Sequence, residues 1–157
     1  MSKLLESNEN IKEWEIKFEK HCEKHHECNQ LKETLLKIGG KRILLQFDQE
    51  RPFFYNLITR GKEFRLEPLL ERGITNECHF NCAKLAQSNE HLRIVLGWGL
   101  WADYWFLHSW LFSTAEILIE TTELMDAYFG YILSKEEQEK YIQYHISNYE
   151  KRISYEN

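Results

Sequence analysis

Residues 76–133 read NECHFNCAKLAQSNEHLRIVLGWGLWADYWFLHSWLFSTAEILIETTELMDAYFGYIL, a helical opening that gives way to runs of aromatic and β-branched residues. Thr75 and Asn76 carry side-chain oxygens of the kind that cap a helix, here one over 77–87 that Ser88, Asn89 and Glu90 close. The runs 91–100, 104–112 and 116–122 follow with short connections, which predicts an antiparallel meander; 128–133 adds a fourth strand. A helix and then neighbouring strands, without βαβ alternation, is the pattern of an α+β domain.

Upstream, Ile11, Trp14, Phe18, Cys22, His25, Cys28, Leu31, Leu35 and Ile38 recur at steps of three and four, which predicts one long amphipathic helix over 10–38, stopped by Gly39 and Gly40. The segments 42–47 and 53–59, separated by 48–52, read as two short strands or as irregular chain. Downstream, Ser134 with Glu136 and Glu137 opens a terminal helix whose mixed face carries Tyr141, Tyr144, His145, Ile146 and Tyr149. No internal repeat or low-complexity segment interrupts the chain. The expected organisation is one domain over 1–157: a variable part at 1–75, a core at 76–133 and a C-terminal helix at 134–157.

The 157 residues are 43% hydrophobic and 29% charged, with seven Gly and two Pro, which excludes disordered and collagen-like classes. A formal charge of −5 gives no general attraction to nucleic acid or an anionic membrane, so neither is expected as a partner. The N-terminal residues lack the apolar run of a signal peptide, and no stretch approaches the roughly 20 apolar residues of a membrane span, so a cytoplasmic location is expected. In that compartment the four cysteines, Cys22, Cys28, Cys78 and Cys82, are read as thiols.

A thiol becomes a nucleophile as thiolate, and a helix N-terminus beside a histidine favours that form. Cys78 falls in the first turn of the helix over 77–87, where backbone N–H groups also suit an oxyanion. His108 sits in the apolar run WFLHSWLF. If Ser113, Thr114 and Ala115 form a three-residue loop, Phe112 faces Glu116 and His108 lies directly opposite Glu120, with Cβ atoms about 5 Å apart. A carboxylate there fixes the tautomer of the imidazole and leaves its other nitrogen for the thiol. The reading depends on loop length: a two-residue loop pairs His108 with Ile119 and sends Glu120 to the other face.

The succession Cys78-His79-Phe80-Asn81-Cys82, His108-Ser109-Trp110, Ile117 through Thr122 and Tyr128-Phe129-Gly130 resembles small papain-like cysteine hydrolases of the broad NlpC/P60-related superfamily. The resemblance covers 76–133, under half of the chain. It implies a Cys-bearing helix packed on an antiparallel sheet with extra terminal helices, Cys78 as nucleophile, His108 as base, Glu120 as the residue orienting His108, and Asn81 in support. Cys82 stands where such proteins commonly carry Ala, and the upstream oxyanion side chain has no clear counterpart beyond Asn76. A peptide or protein substrate and no cofactor are expected. Hydrolysis of a peptide or isopeptide bond, deamidation of a Gln side chain and transamidation share this chemistry.

Plainer readings stand beside these. Cys78 alone reads as a structural thiol, His108 as a core histidine and Glu120 as an exposed strand carboxylate. The segment from His21 to Cys28 offers zinc-ligand spacings but no second ligand pair, and it also continues the apolar stripe. Trp98, Trp101 and Trp110 are candidates for a substrate groove or simply for core. A catalytically inactive papain-like relative, acting as a protein-interaction module, is the alternative function.

Overall fold

The computed structural model of the protein describes residues 8–156, and among these it holds five helices and a seven-stranded mixed sheet. The order is α1 (Asn8–Lys24), α2 (His26–Ile38), β1 (Arg42–Leu44), α3 (Arg51–Arg60), β2 (Lys62–Glu63), β3 (Leu69–Leu70), α4 (Cys78–Ser88), β4 (Leu92–Trp101), β5 (Tyr104–Ser113), β6 (Leu118–Glu120), β7 (Ala127–Ile132) and α5 (Lys135–Tyr155). The strands lie in the order β2-β7-β4-β5-β6-β3, with β1 paired in parallel to β5. The class is α+β. Two compact units divide the chain.

The first unit takes the described residues through Arg65 with Gly97–His108 and Met125–Tyr131. Its core forms around Trp98, which has no exposed surface and meets the rings of Phe18, Phe53 and Phe54 at centroid distances of 6.2, 5.5 and 6.3 Å. The expected single helix over 10–38 is in fact two. His25, at φ −131° and ψ 118°, breaks it, and Lys32 reaches Glu19 at 2.7 Å where a continuous helix would hold them about 20 Å apart. Apolar spacing is the same on both sides of the break, so periodicity does not register it. The segment 53–59 is likewise no strand but part of α3, with Pro52 in its first turn and Phe54 and Leu57 buried one helical step apart. Its aromatic composition imitates a strand; the burial follows helical spacing.

The second unit takes Leu66–Leu96, Ser109–Leu124 and the described residues from Ile132 on. Here α4 and α5 pack together through Phe80 and Tyr149, stacked at 3.8 Å. α5 begins at a full capping box: the Ser134 hydroxyl accepts from Glu137 N at 3.2 Å, and the Glu137 carboxylate accepts from Ser134 N at 2.6 Å. One turn on, the Gln138 amide accepts from Ile94 N at 2.8 Å and donates to Leu92 O at 3.0 Å, which fastens α5 to the start of β4. No described helix is long and apolar enough to cross a membrane.

Replacing the cap tests how much α5 depends on it. Ser134→Ala lowers the unfolding free energy by about 1 kcal/mol and Ser134→Asp retains most of it, as read from denaturant midpoints.

Candidate active site

Cys78 is the first residue of α4 and is half-buried. The cap position falls to Glu77 rather than to Thr75 or Asn76. Glu77 holds the cap position without a capping bond and pairs instead with Arg152 of α5, while Asn76 is exposed at φ 62°, a left-handed conformation that Asn tolerates.

What fixes the approach to Cys78 is Asn81, one turn along α4 and 5% exposed. Its Oδ1 accepts from Ile74 N at 2.9 Å and its Nδ2 donates to Ile74 O at 2.8 Å, so one amide closes both polar groups of a loop residue. Gly73 makes the close approach possible, because a Cβ there would overlap the Asn81 amide. The same loop is bonded to the end of β6, where Glu71 N donates to Glu120 O and Gly73 N to Thr121 O, each at 2.8 Å. Asn81 and Glu120 thus hold one loop from two sides.

Glu120 has no exposed surface. Its Oε1 accepts from Thr121 N at 2.8 Å, Thr122 N at 2.9 Å and Thr122 Oγ1 at 3.0 Å, a donor set suited to an ionised carboxylate. The hairpin register differs from expectation. Leu111 pairs with Ile119 and Phe112 with Leu118, so Glu120 comes opposite Trp110, and His108 and Glu120 are two positions out of step rather than directly opposed. The loop is Thr114, Ala115 and Glu116, because the Ser113 hydroxyl accepts from Ala115 N and Ile117 N at 3.2 and 3.1 Å and keeps Ser113 in the ladder, while Glu116 takes φ 61°. A three-residue loop moved by one residue shifts pairing by two. The loop keeps its length of three residues, so the parity of the pairing is unchanged.

Around Cys78 and Glu120 lies a polar chain that sequence reasoning missed. Cys82 is fully buried beside Thr121 Oγ1 at 3.9 Å and the Ser109 hydroxyl; burial first, then the nearby Cys78 and Glu120, push its thiol well up, so it stays protonated. Tyr141 of α5 donates to Ser109 Oγ at 3.1 Å and lies 2.8 Å from His79 Nδ1. The His79 ring stacks on His145 at 5.1 Å. Burial, with His79 beside it, holds His145 down at about 3. Tyr141 and His145 had appeared only as the mixed face of a helix, and their partners lie 62 and 66 residues away, beyond any local pattern.

His108 is 3% exposed on β5, in the first unit, with its ring 6.3 Å from that of Tyr128. Gly99 makes room for it: a Cβ there would stand 3.3 Å from His108 Cδ2 and 2.9 Å from Met125 Cγ. Trp98 and Trp110 have no exposed surface and are core, not groove wall, and Trp101 packs on the cluster of Ile11, Leu44 and Phe106. No group of three or more His, Cys, Asp or Glu among the described residues is placed to hold a metal ion.

Two outcomes test this arrangement. Asn81→Asp keeps the acceptor for Ile74 N but sets a carboxylate oxygen against Ile74 O, and costs about 1–3 kcal/mol of stability by chemical denaturation. His145 binds its proton more weakly in the folded chain, about 3 against an ordinary 6.5, so its contribution is present above pH 6.5 and is lost as pH falls through that window. His145→Phe therefore flattens the acid limb of a stability-against-pH curve between those values.

In comparisons with known proteins, no family model, no curated protein and no solved structure matches the chain.

Proposed function

We propose that the chain is a thiol hydrolase or acyltransferase of the papain-like kind, acting on the amide bond of a peptide, an isopeptide or a Gln side chain. The observation that carries this is Cys78 as the first residue of an eleven-residue helix, its preceding loop fastened by Asn81 and by the segment that holds the Glu120 carboxylate.

In this reading His108 takes the Cys78 proton, and the thiolate adds to the acyl carbon while the first-turn N–H groups of α4 receive the oxyanion. The C–N bond breaks, the amine leaves with the proton from His108, and a thioester remains on Cys78. Water hydrolyses it to a carboxylic acid, or an amine acceptor takes the acyl group; either way the thiol is restored. Glu120 orients His108 and stabilises the imidazolium. Cys82, protonated and enclosed, takes no part as nucleophile.

A second reading, an inactive relative that binds a protein, is favoured by the exposed Leu69 of β3, which pairs with β6, and Ile117 just before β6, at 56% and 46% exposure. In that case Cys78 is dispensable.

Iodoacetamide labelling against pH, resolved for each thiol by peptide mass spectrometry, separates the two. For the hydrolase Cys78 labels fastest below about pH 8, and His108→Ala slows it at neutral pH by about tenfold or more. Glu120→Gln gives a smaller slowing in the same direction. A Cys78 that labels no faster than an ordinary thiol, or is indifferent to His108→Ala, rejects the thiolate–imidazole pair.

A further inference from the structure

The first unit contains a second pair of cysteines outside the proposed site. Six residues apart in an unbroken helix, Cys22 and Cys28 would be separated by about 9 Å along the axis and would point to different sides. The break at His25 instead folds the start of α2 back on the end of α1 and brings the two sulfurs to 3.0 Å. Asn29 Nδ2 secures the fold-back by donating to Cys22 O at 2.6 Å. Both thiols are enclosed, and of the two Cys22 retains some surface, 4% against none for Cys28.

We infer that Cys22 and Cys28 are a dithiol–disulfide couple, converted by a low-molecular-weight disulfide such as oxidised glutathione into an internal cross-link between α1 and α2. Proximity is the first requirement for such a couple and is already met: the sulfurs have about 1 Å to close to bonding distance. The second is an attacking thiolate. The contact between the two sulfurs lowers the Cys22 thiol from its ordinary range and raises that of Cys28.

The exchange balances in two steps. The Cys22 thiolate attacks one sulfur of oxidised glutathione; a mixed disulfide forms and one glutathione leaves as thiolate, taking up a proton. Cys28 then gives up its proton and attacks the Cys22 sulfur, forming the internal disulfide and expelling the second glutathione. Two protein thiols are oxidised by two electrons, and one glutathione disulfide is reduced to two thiols. The inference does not rest on the hydrolase reading, since neither cysteine belongs to that site.

The test uses the full chain equilibrated with graded ratios of reduced to oxidised glutathione, then acid-quenched, denatured, alkylated and digested with trypsin. Cleavage after Lys20, Lys24 and Lys32 leaves Cys22 in peptide 21–24 and Cys28 in peptide 25–32, so the couple appears as a linked pair of peptides about 2 Da lighter than their sum. The expected result is that link in the folded chain, with a yield about tenfold lower when the equilibration is done in denaturant. Recovery of both peptides separately alkylated or separately glutathionylated at every ratio overturns the inference. Equal yields in folded and denatured chain overturn it as well, because proximity in sequence, not the fold, would then be the cause.

Discussion

A carboxylate removed from water must have its charge met by donors, or its burial costs several kcal/mol. Glu120 is in that position, and Thr121 and Thr122 meet the requirement with two backbone N–H groups and a hydroxyl on one oxygen. The bend this imposes at the end of β6 presents the carbonyls of Glu120 and Thr121 to Glu71 and Gly73, and the loop so captured is completed by the Asn81 amide. Cys78 inherits its position from this chain of bonds. The acidic group and the thiol are therefore coupled mechanically, whatever passes between them electrostatically.

Enclosure divides the chemistry among neighbouring groups. Cys78 and Cys82 lie one turn apart on the same helix, yet only Cys78 keeps access to solvent, and desolvation makes Cys82 a poor thiolate. His79 and His145 show the same principle with the opposite charge: stacked and half-buried, the His145 ring stays neutral over the ordinary range of pH. Tyr141 and Ser109 are bonded to each other, and each reaches one more polar group of the second unit, Tyr141 meeting His79 and Ser109 meeting Cys82.

Much of the fold was legible because local signals agreed with one another. Ser134 and Glu137 announce α5, and the aromatic runs place β4, β5 and β7 to within a residue or two. The failures have physical causes. The break at His25 is invisible to a periodicity that is equally satisfied by one helix or two, and Phe53 through Thr59 carries strand-like residues into a helix that Pro52 starts. Of the candidate site, Cys78 at a helix start was legible from composition and spacing. The Glu120 register was not, because it turns on which backbone N–H groups the Ser113 hydroxyl accepts from. Asn81 was marked for its place on the helix face, but its bonds to Ile74 belong to tertiary structure.

The turn after β5 also limits how the chain is free to vary. Its three residues set which side chains of β6 look toward each face of the sheet, so lengthening or shortening it by one residue would turn Glu120 over, while a change of two would only slide it along the strand. Over evolutionary time the loop is therefore expected to gain and lose residues in pairs, and an odd change there would be tolerated only by a protein that no longer needs its buried acid.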